Sequence, residues 1–173
     1  MRNERVSAEE REAAPVRRGA GVYPTLLLAA AVVVALDQAT KELALRALAD
    51  GPVEVVEGAL TLRLTFNSGG AFGLLQGFPG LFLAATLVVM VLILVWARRL
   101  EAGAWGVALG AILGGGFGNV ADRIWRPTDG VVDFIDLHVW PVFNLADSAI
   151  VVGVGLVLLL SARTEEHPRP SPR

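Results

Sequence analysis

Asp147 stands inside a long apolar run, Phe143-Asn144-Leu145-Ala146-Asp147-Ser148, with no basic residue within a helical turn of it. Asp133 is flanked by Val132 and Phe134. Ionising a carboxyl group in apolar surroundings is costly, and two carboxylates within hydrogen-bond reach cannot both ionise, so such a pair shares a proton. The ionised member can then take a proton from water while the other donates to a carbonyl oxygen. The chemistry these residues suggest is acid–base hydrolysis by an aspartate dyad. Spacing alone does not choose the pair, because Asp122 and Asp136 are also available.

Other polar residues sit where the chain is otherwise apolar. Asp37 and Lys41 are four apart, the spacing of an ion pair on one helix face. A plain helix-end pair reaching to water explains them as well as a role in a site does. Asn67-Ser68-Gly69-Gly70-Ala71-Phe72 has the residues of a turn, since Asn and Gly both tolerate positive φ. Gly114-Gly115-Gly116-Phe117-Gly118-Asn119 suits close helix packing. Asn119 and Arg123, four apart, can share a face and donate hydrogen bonds together. Asn144 lies three residues before Asp147.

The elements that must position these groups follow from composition. Of the 173 residues, 54% are hydrophobic and 18% charged, with a mean hydropathy of +0.56. This is more apolar than the usual soluble domain, at about 45–50%. Four apolar stretches cover roughly residues 22–36 (thinning toward 49), 81–97, 105–117 (reaching 120) and 142–160. Crossing a bilayer takes about 20 helical residues. An all-α membrane protein with four transmembrane helices is expected. Residues 53–56 and 60–66 read as β-strands around a Glu57-Gly58 turn, the second with clear alternation, so a small extracytoplasmic β-sheet is expected in the first outer loop. Residues 131–140 form a further extended run in the second loop, which holds Pro127 and Gly130, and Trp125 and Trp140 suit the interfacial aromatic belt.

Ten of the fifteen Lys and Arg residues lie in the two tails and the link between helices two and three. By the positive-inside rule both termini are cytoplasmic, and the polar ends of helices one and three face outward. A cleaved signal peptide ending near Ala47-Leu48-Ala49 is the weaker reading of the first stretch, since Asp37 and Lys41 interrupt it. Residues 1–20 and 163–173 have the composition of disordered cytoplasmic tails, leaving a membrane domain at 21–162. A net charge of -2 without a basic stripe excludes a nucleic-acid partner. There is no cysteine, and His138 and His167 form no paired motif, so neither metal nor cofactor is expected.

Five segments in order resemble the lipoprotein signal peptidases, the bacterial signal peptidase II family. They are Asp37-Gln38-Ala39-Thr40-Lys41, residues 67–72, residues 114–123, Val131-Val132-Asp133-Phe134-Ile135 and Phe143-Asn144-Leu145-Ala146-Asp147. The resemblance covers about residues 23–161. It implies an aspartic endopeptidase of the bacterial cell membrane, with its site near the outer face. The implied reaction removes the signal peptide from a diacylglyceryl-modified prolipoprotein, cutting just before the lipid-modified cysteine. The implied partners are that substrate and membrane lipid, and a monomer is expected. The resemblance puts the catalytic pair on Asp133 and Asp147, with Asp37, Lys41, Asn67, Gly69, Asn119, Arg123 and Asn144 in support. Gly70 departs from the family's usual alanine, a small change of packing. A proton-coupled transporter is the main rival, but its polar residues should lie near the midplane, often within repeats. A membrane scaffold would leave Asp147 without a purpose.

Overall fold

The structure, a computed structural model, describes residues 21–69, 79–100, 102–126 and 130–166. Both ends of the chain, and Gly70, Ala71, Phe72, Pro127 and His167, lie outside the described residues. Four helices and three strands run in the order α1 (Tyr23–Ala47), β1 (Val53–Val56), β2 (Leu60–Asn67), α2 (Pro79–Ala97), α3 (Ala104–Trp125), β3 (Val131–Asp136) and α4 (Leu145–Glu166). Among the described residues, α1, α3 and α4 contain stretches long and apolar enough to cross a membrane. The apolar part of α2, Leu83–Ala97, is shorter.

Helix α3 is the axis of the bundle. Both α1 and α4 pack along it, and α2 leans on it more lightly. Glycine spacing explains the close approach of α1. Gly106, Gly110 and Gly114 recur every four residues on one α3 face, and a methyl at Gly114 would lie 2.7 Å from the Ala30 carbonyl oxygen. Small residues let backbones meet where no larger side chain fits. Leu26, Leu109 and Leu113 fill the space between these helices. Outward-facing side chains remain apolar, as on Leu28 (68% exposed), Val151 (68%) and Leu158 (64%), which suits lipid better than water.

Helix α3 continues to Trp125, five residues past the expected 120, so Asn119, Asp122 and Arg123 are helical. It stops where Arg126 turns extended, directly before Pro127, which disfavours a helical predecessor. Helix α4 begins at Leu145, three residues later than the apolar run suggested, and continues to Glu166, into the stretch expected as tail. The late start has a local cause. The Asn144 side-chain oxygen accepts from Asp147 N at 2.9 Å, and Asn144 N donates to an Asp147 carboxylate oxygen at 3.3 Å. This reciprocal box satisfies amides left open at a helix start.

The sheet is antiparallel in the order β1-β2-β3. Its first two strands match the expected ones, but the third comes from the loop between α3 and α4. It is therefore not confined to the first loop, because β2 would otherwise leave a long unpaired edge. Thr65 pairs with Asp133 and Asn67 with Val131. Beyond β3 the chain reverses at His138 (φ 61°), and Phe143 exchanges backbone hydrogen bonds with Ile135. That return brings Asn144 back beneath Asp133.

Candidate active site

The ends of β2, β3, α3 and α4 meet around one cavity of about 330 Å³, lined by Asp133, Asp147, Asn67, Asn119 and Arg123 among others. Each aspartate arrives on a different element. Asp133 is on β3 and 1% exposed. Asp147 is in the first turn of α4, where the exposed backbone amides and the helix dipole favour a carboxylate.

Side-chain amides hold both. Asn67 sits diagonally across the ladder from Asp133 and donates to it at 3.2 Å, and Asn144 donates to its other oxygen at 2.7 Å. Asn119 donates to Asp147 at 2.8 Å. Asn144 thus contacts both carboxylates, one through its side chain and the other through its backbone. Burial, then the nearby Asp147 charge, pushes the Asp133 carboxyl up to about 7 against the pull of the two amides. A pair in this setting can hold one proton near neutral pH.

The remaining aspartates are matched by cations. The Lys41 ammonium is fully buried and makes three contacts, with Asp37 at 2.9 Å, Asp122 at 2.8 Å and the Asn119 side-chain oxygen at 2.9 Å. Its three donors are therefore all used. Asp122 also pairs with Arg126 at 2.8 Å, and its other oxygen accepts from Val132 N at 3.2 Å, fixing β3 one residue before Asp133. Asp37 accepts from Ala146 N at 3.0 Å, tying α1 to the first turn of α4. The Asp37–Lys41 pair is thus an internal tie and not a helix end reaching to water. Asp136 pairs with Arg63 at 2.6 Å. That contact, helped by the His138 backbone amide, holds its carboxyl below the ordinary value. Neither Asp122 nor Asp136 shares the cavity wall with the other two aspartates.

Arg123 donates to the Gly69 carbonyl at 2.7 Å and to the Asn119 carbonyl at 3.1 Å, so it clamps the turn after β2 against α3. Gly69 N in turn donates to the Asn67 side chain at 3.0 Å, which orients that amide toward Asp133.

The family model for "Signal peptidase (SPase) II" matches residues 29–163, a span that contains all of these groups. The chain belongs to the signal peptidase II family. It is a protease of a family that processes lipoproteins. A lipoprotein signal peptidase of Mycobacterium avium (strain 104) is 43% identical over 141 residues, 79% of this chain and 78% of that protein. One of Anoxybacillus flavithermus (strain DSM 21510 / WK1) is 39% identical over 159 residues, 88% of this chain and 91% of that protein. A bacterial membrane enzyme solved by the in meso method at 2.3 Å superposes with a TM-score of 0.75 at 27% identity, covering 87% of this chain and 94% of that one. A second such structure, at 1.9 Å, gives 0.67 and 29%, covering 79% and 92%.

Within this signal peptidase II fold, all nine site residues expected from sequence fall in one connected network. Sequence reasoning passed over two more. Gln38 donates to Asp122 at 3.0 Å, and Arg126 donates to the Gln38 oxygen at 3.0 Å. Arg126 had a visible signal, its four-residue spacing from Asp122. Gln38 stands beside Asp37 in the family-like segment, but apart from Asp37 its partners lie about 80 positions away, beyond any local pattern.

Proposed function

We propose that this signal peptidase II is an aspartic endopeptidase that removes the signal peptide from diacylglyceryl-modified prolipoproteins, cutting before the lipidated cysteine. One observation carries the reading. Asp133 and Asp147 meet at a cavity and are held by amides, whereas Asp37, Asp122 and Asp136 are paired with cations.

The mechanism follows from that difference. Asp133 holds the shared proton and donates it to the scissile carbonyl oxygen. Asp147, at the positive end of α4, stays ionised and takes a proton from the attacking water. Water oxygen bonds to the carbonyl carbon, and the tetrahedral intermediate collapses with the proton passing to the leaving amine. Asn67, Asn119 and Asn144 fix the carboxylates, so little reorganisation accompanies the step. With the Arg123 guanidinium on the same wall, one shared proton brings the formal charge of the cavity to zero.

The bias of basic residues supports four spans with α2 as the second, both termini in the cytoplasm and the cavity near the outer face. The sheet then lies on the outer surface, where a precursor anchored by its lipid presents its cleavage site. All the groups of the site come from one chain, which supports a working monomer. The test is a gel-shift assay on purified wild type, Asp133→Asn and Asp147→Asn with a lipidated precursor. Wild type is expected to cut and both variants to fail. Near-wild-type processing by the Asp147→Asn enzyme would sink the proposal.

A further inference from the structure

Helix α3 carries six glycines between Ala104 and Trp125, and packing accounts for five of them. Gly106, Gly110 and Gly114 admit α1. A methyl at Gly115 would collide with the Ala146 carbonyl of α4, and one at Gly118 with the Asp37 carboxylate. Gly116 is different. A methyl there would meet nothing nearer than the Met90 sulfur at 3.5 Å and the Met90 Cγ at 3.6 Å, which is ordinary contact. Its φ lies outside the left-handed region, so backbone geometry does not demand glycine either. Glycine inside a helix is nevertheless less stable than alanine.

What Gly116 does have is a place on the wall of the cavity that holds the two aspartates. It lies three residues before Asn119, about one turn deeper into the bundle. Ile150 and Val151 lie about one turn along α4 from Asp147, and Thr86 of α2 completes this deeper wall. The cavity thus runs from a polar rim at the carboxylates to an apolar floor among the helices. Helices α2 and α4 border that floor, each packed chiefly on α3 and not on the other. Val151 lines the cavity and is 68% exposed, so the passage between the two helices reaches the lipid-facing side of α4.

We infer that Gly116 is a specificity-determining residue, leaving the passage between α2 and α4 open for an acyl chain of the substrate's lipid-modified cysteine. This rests on the peptidase reading above. The cleaved bond adjoins the lipidated residue, so the lipid must leave the dyad within about one helical turn. The apolar floor beneath Asp147 is such an exit. The volume, about 330 Å³, is at the low end for ligand pockets, which run to about 1,000 Å³. It suits the scissile segment and the first methylenes of one chain, the remainder lying in the bilayer.

The experiment uses the full-length enzyme with two precursor peptides, one carrying dipalmitoylglyceryl cysteine and one a short-chain dibutyrylglyceryl analogue. Gly116→Leu and Gly116→Ala are compared with wild type, with melting curves run in parallel. For Gly116→Leu the ratio of KM for the long-chain over the short-chain substrate should rise about tenfold or more, the range seen for misfit methylenes in an apolar pocket. Gly116→Ala, which fits at 3.5 Å, should move the ratio the same way by less and should melt no lower than wild type. An unchanged ratio in both variants overturns the inference, as does an equal rise of KM for both substrates. If Gly116→Leu does not fold, an unchanged ratio for Gly116→Ala is decisive against it. Wild-type failure to cut either lipidated peptide would instead count against the peptidase reading.

Discussion

Two polar clusters lie side by side at one end of the bundle and use aspartate in opposite ways. In the first, Asp37 and Asp122 face Lys41 and Arg126, two anions against two cations, with Gln38 filling the remaining hydrogen bonds. In the second, Asp133 and Asp147 face the amides of Asn67, Asn119 and Asn144. Asn119 belongs to both, accepting from Lys41 and donating to Asp147. A buried carboxylate beside a cation gains little from a proton, whereas one held only by amides keeps its affinity for it. On the proposed reading the first cluster therefore fixes geometry, and the second keeps a group that can exchange a proton. Burial alone would not separate them, because Asp37, Asp122 and Asp133 are all at or below 1% exposure.

The strongest test of the contrast lies in the second cluster. Asp133→Asn and Asp147→Asn should each lower cleavage by about 10²–10⁴-fold, the usual contribution of an acid or base. Both should still fold, because the amide keeps the shape of the carboxyl group. Lys41→Met should do the reverse. Removing one partner of a buried pair costs about 3–5 kcal/mol, since it strands charge. Melting should fall, and cleavage should fall only with the folded fraction. The contrast breaks if Lys41→Met melts like wild type, or if Asp147→Asn unfolds.

How far the sequence shows this contrast depends on the range of each interaction. The i,i+4 spacing makes the Asp37–Lys41 tie legible, because both lie on one helix face. The second partner of Lys41, Asp122, lies on α3, and no local pattern points to it. Helix existence was legible from apolar runs, since lipid-facing sides need no polar stripe. The start of α4 was not, because Val142 and Phe143 are apolar yet belong to the return segment, bridged at Phe143 to Ile135. An Asn-x-x-Asp capping pattern at Asn144 and Asp147 would have corrected it. Pairing of β3 with β2 is likewise non-local, so residues 131–140 read as an extended run without a partner. The choice of Asp133 over Asp122 came from family resemblance. Its physical reason, amides against cations, exists only once the elements are packed.

A subtler consequence concerns pH. The Asp133 carboxyl lies at about 7 in the fold against an ordinary 3.8. Between those values the folded protein holds a proton that the unfolded chain has released. Stability therefore declines as pH rises from about 4 to about 7 and levels off above. At about 1.4 kcal/mol per unit the whole slope is at most roughly 4 kcal/mol, and it belongs to the coupled pair. Asp133→Asn should flatten it, so that variant melts higher than wild type at pH 8 and little differently at pH 4. A series of melts across that range decides the matter; a slope unchanged by the substitution counts against a buried proton on the pair. Cleavage by wild type should also fall above pH 7, as the shared proton is lost.

The smallest effect is expected at Asp136, which looks equivalent in sequence. It lies three residues from Asp133 on the same strand, so alternation sends the two side chains to opposite faces. Its partner Arg63 is 46% exposed, and the pair ties β2 to β3 at the water-facing side of the sheet. Such pairs contribute little, because solvent screens them and long side chains lose freedom on pairing. Asp136 is itself only 7% exposed, but Asp136→Asn keeps an oxygen for Arg63, so cleavage should stay within about twofold of wild type and its pH profile unmoved. A shift of that profile toward that of Asp133→Asn would show that the matched and unmatched aspartates are electrically one cluster, and the division argued above would then have to be drawn elsewhere.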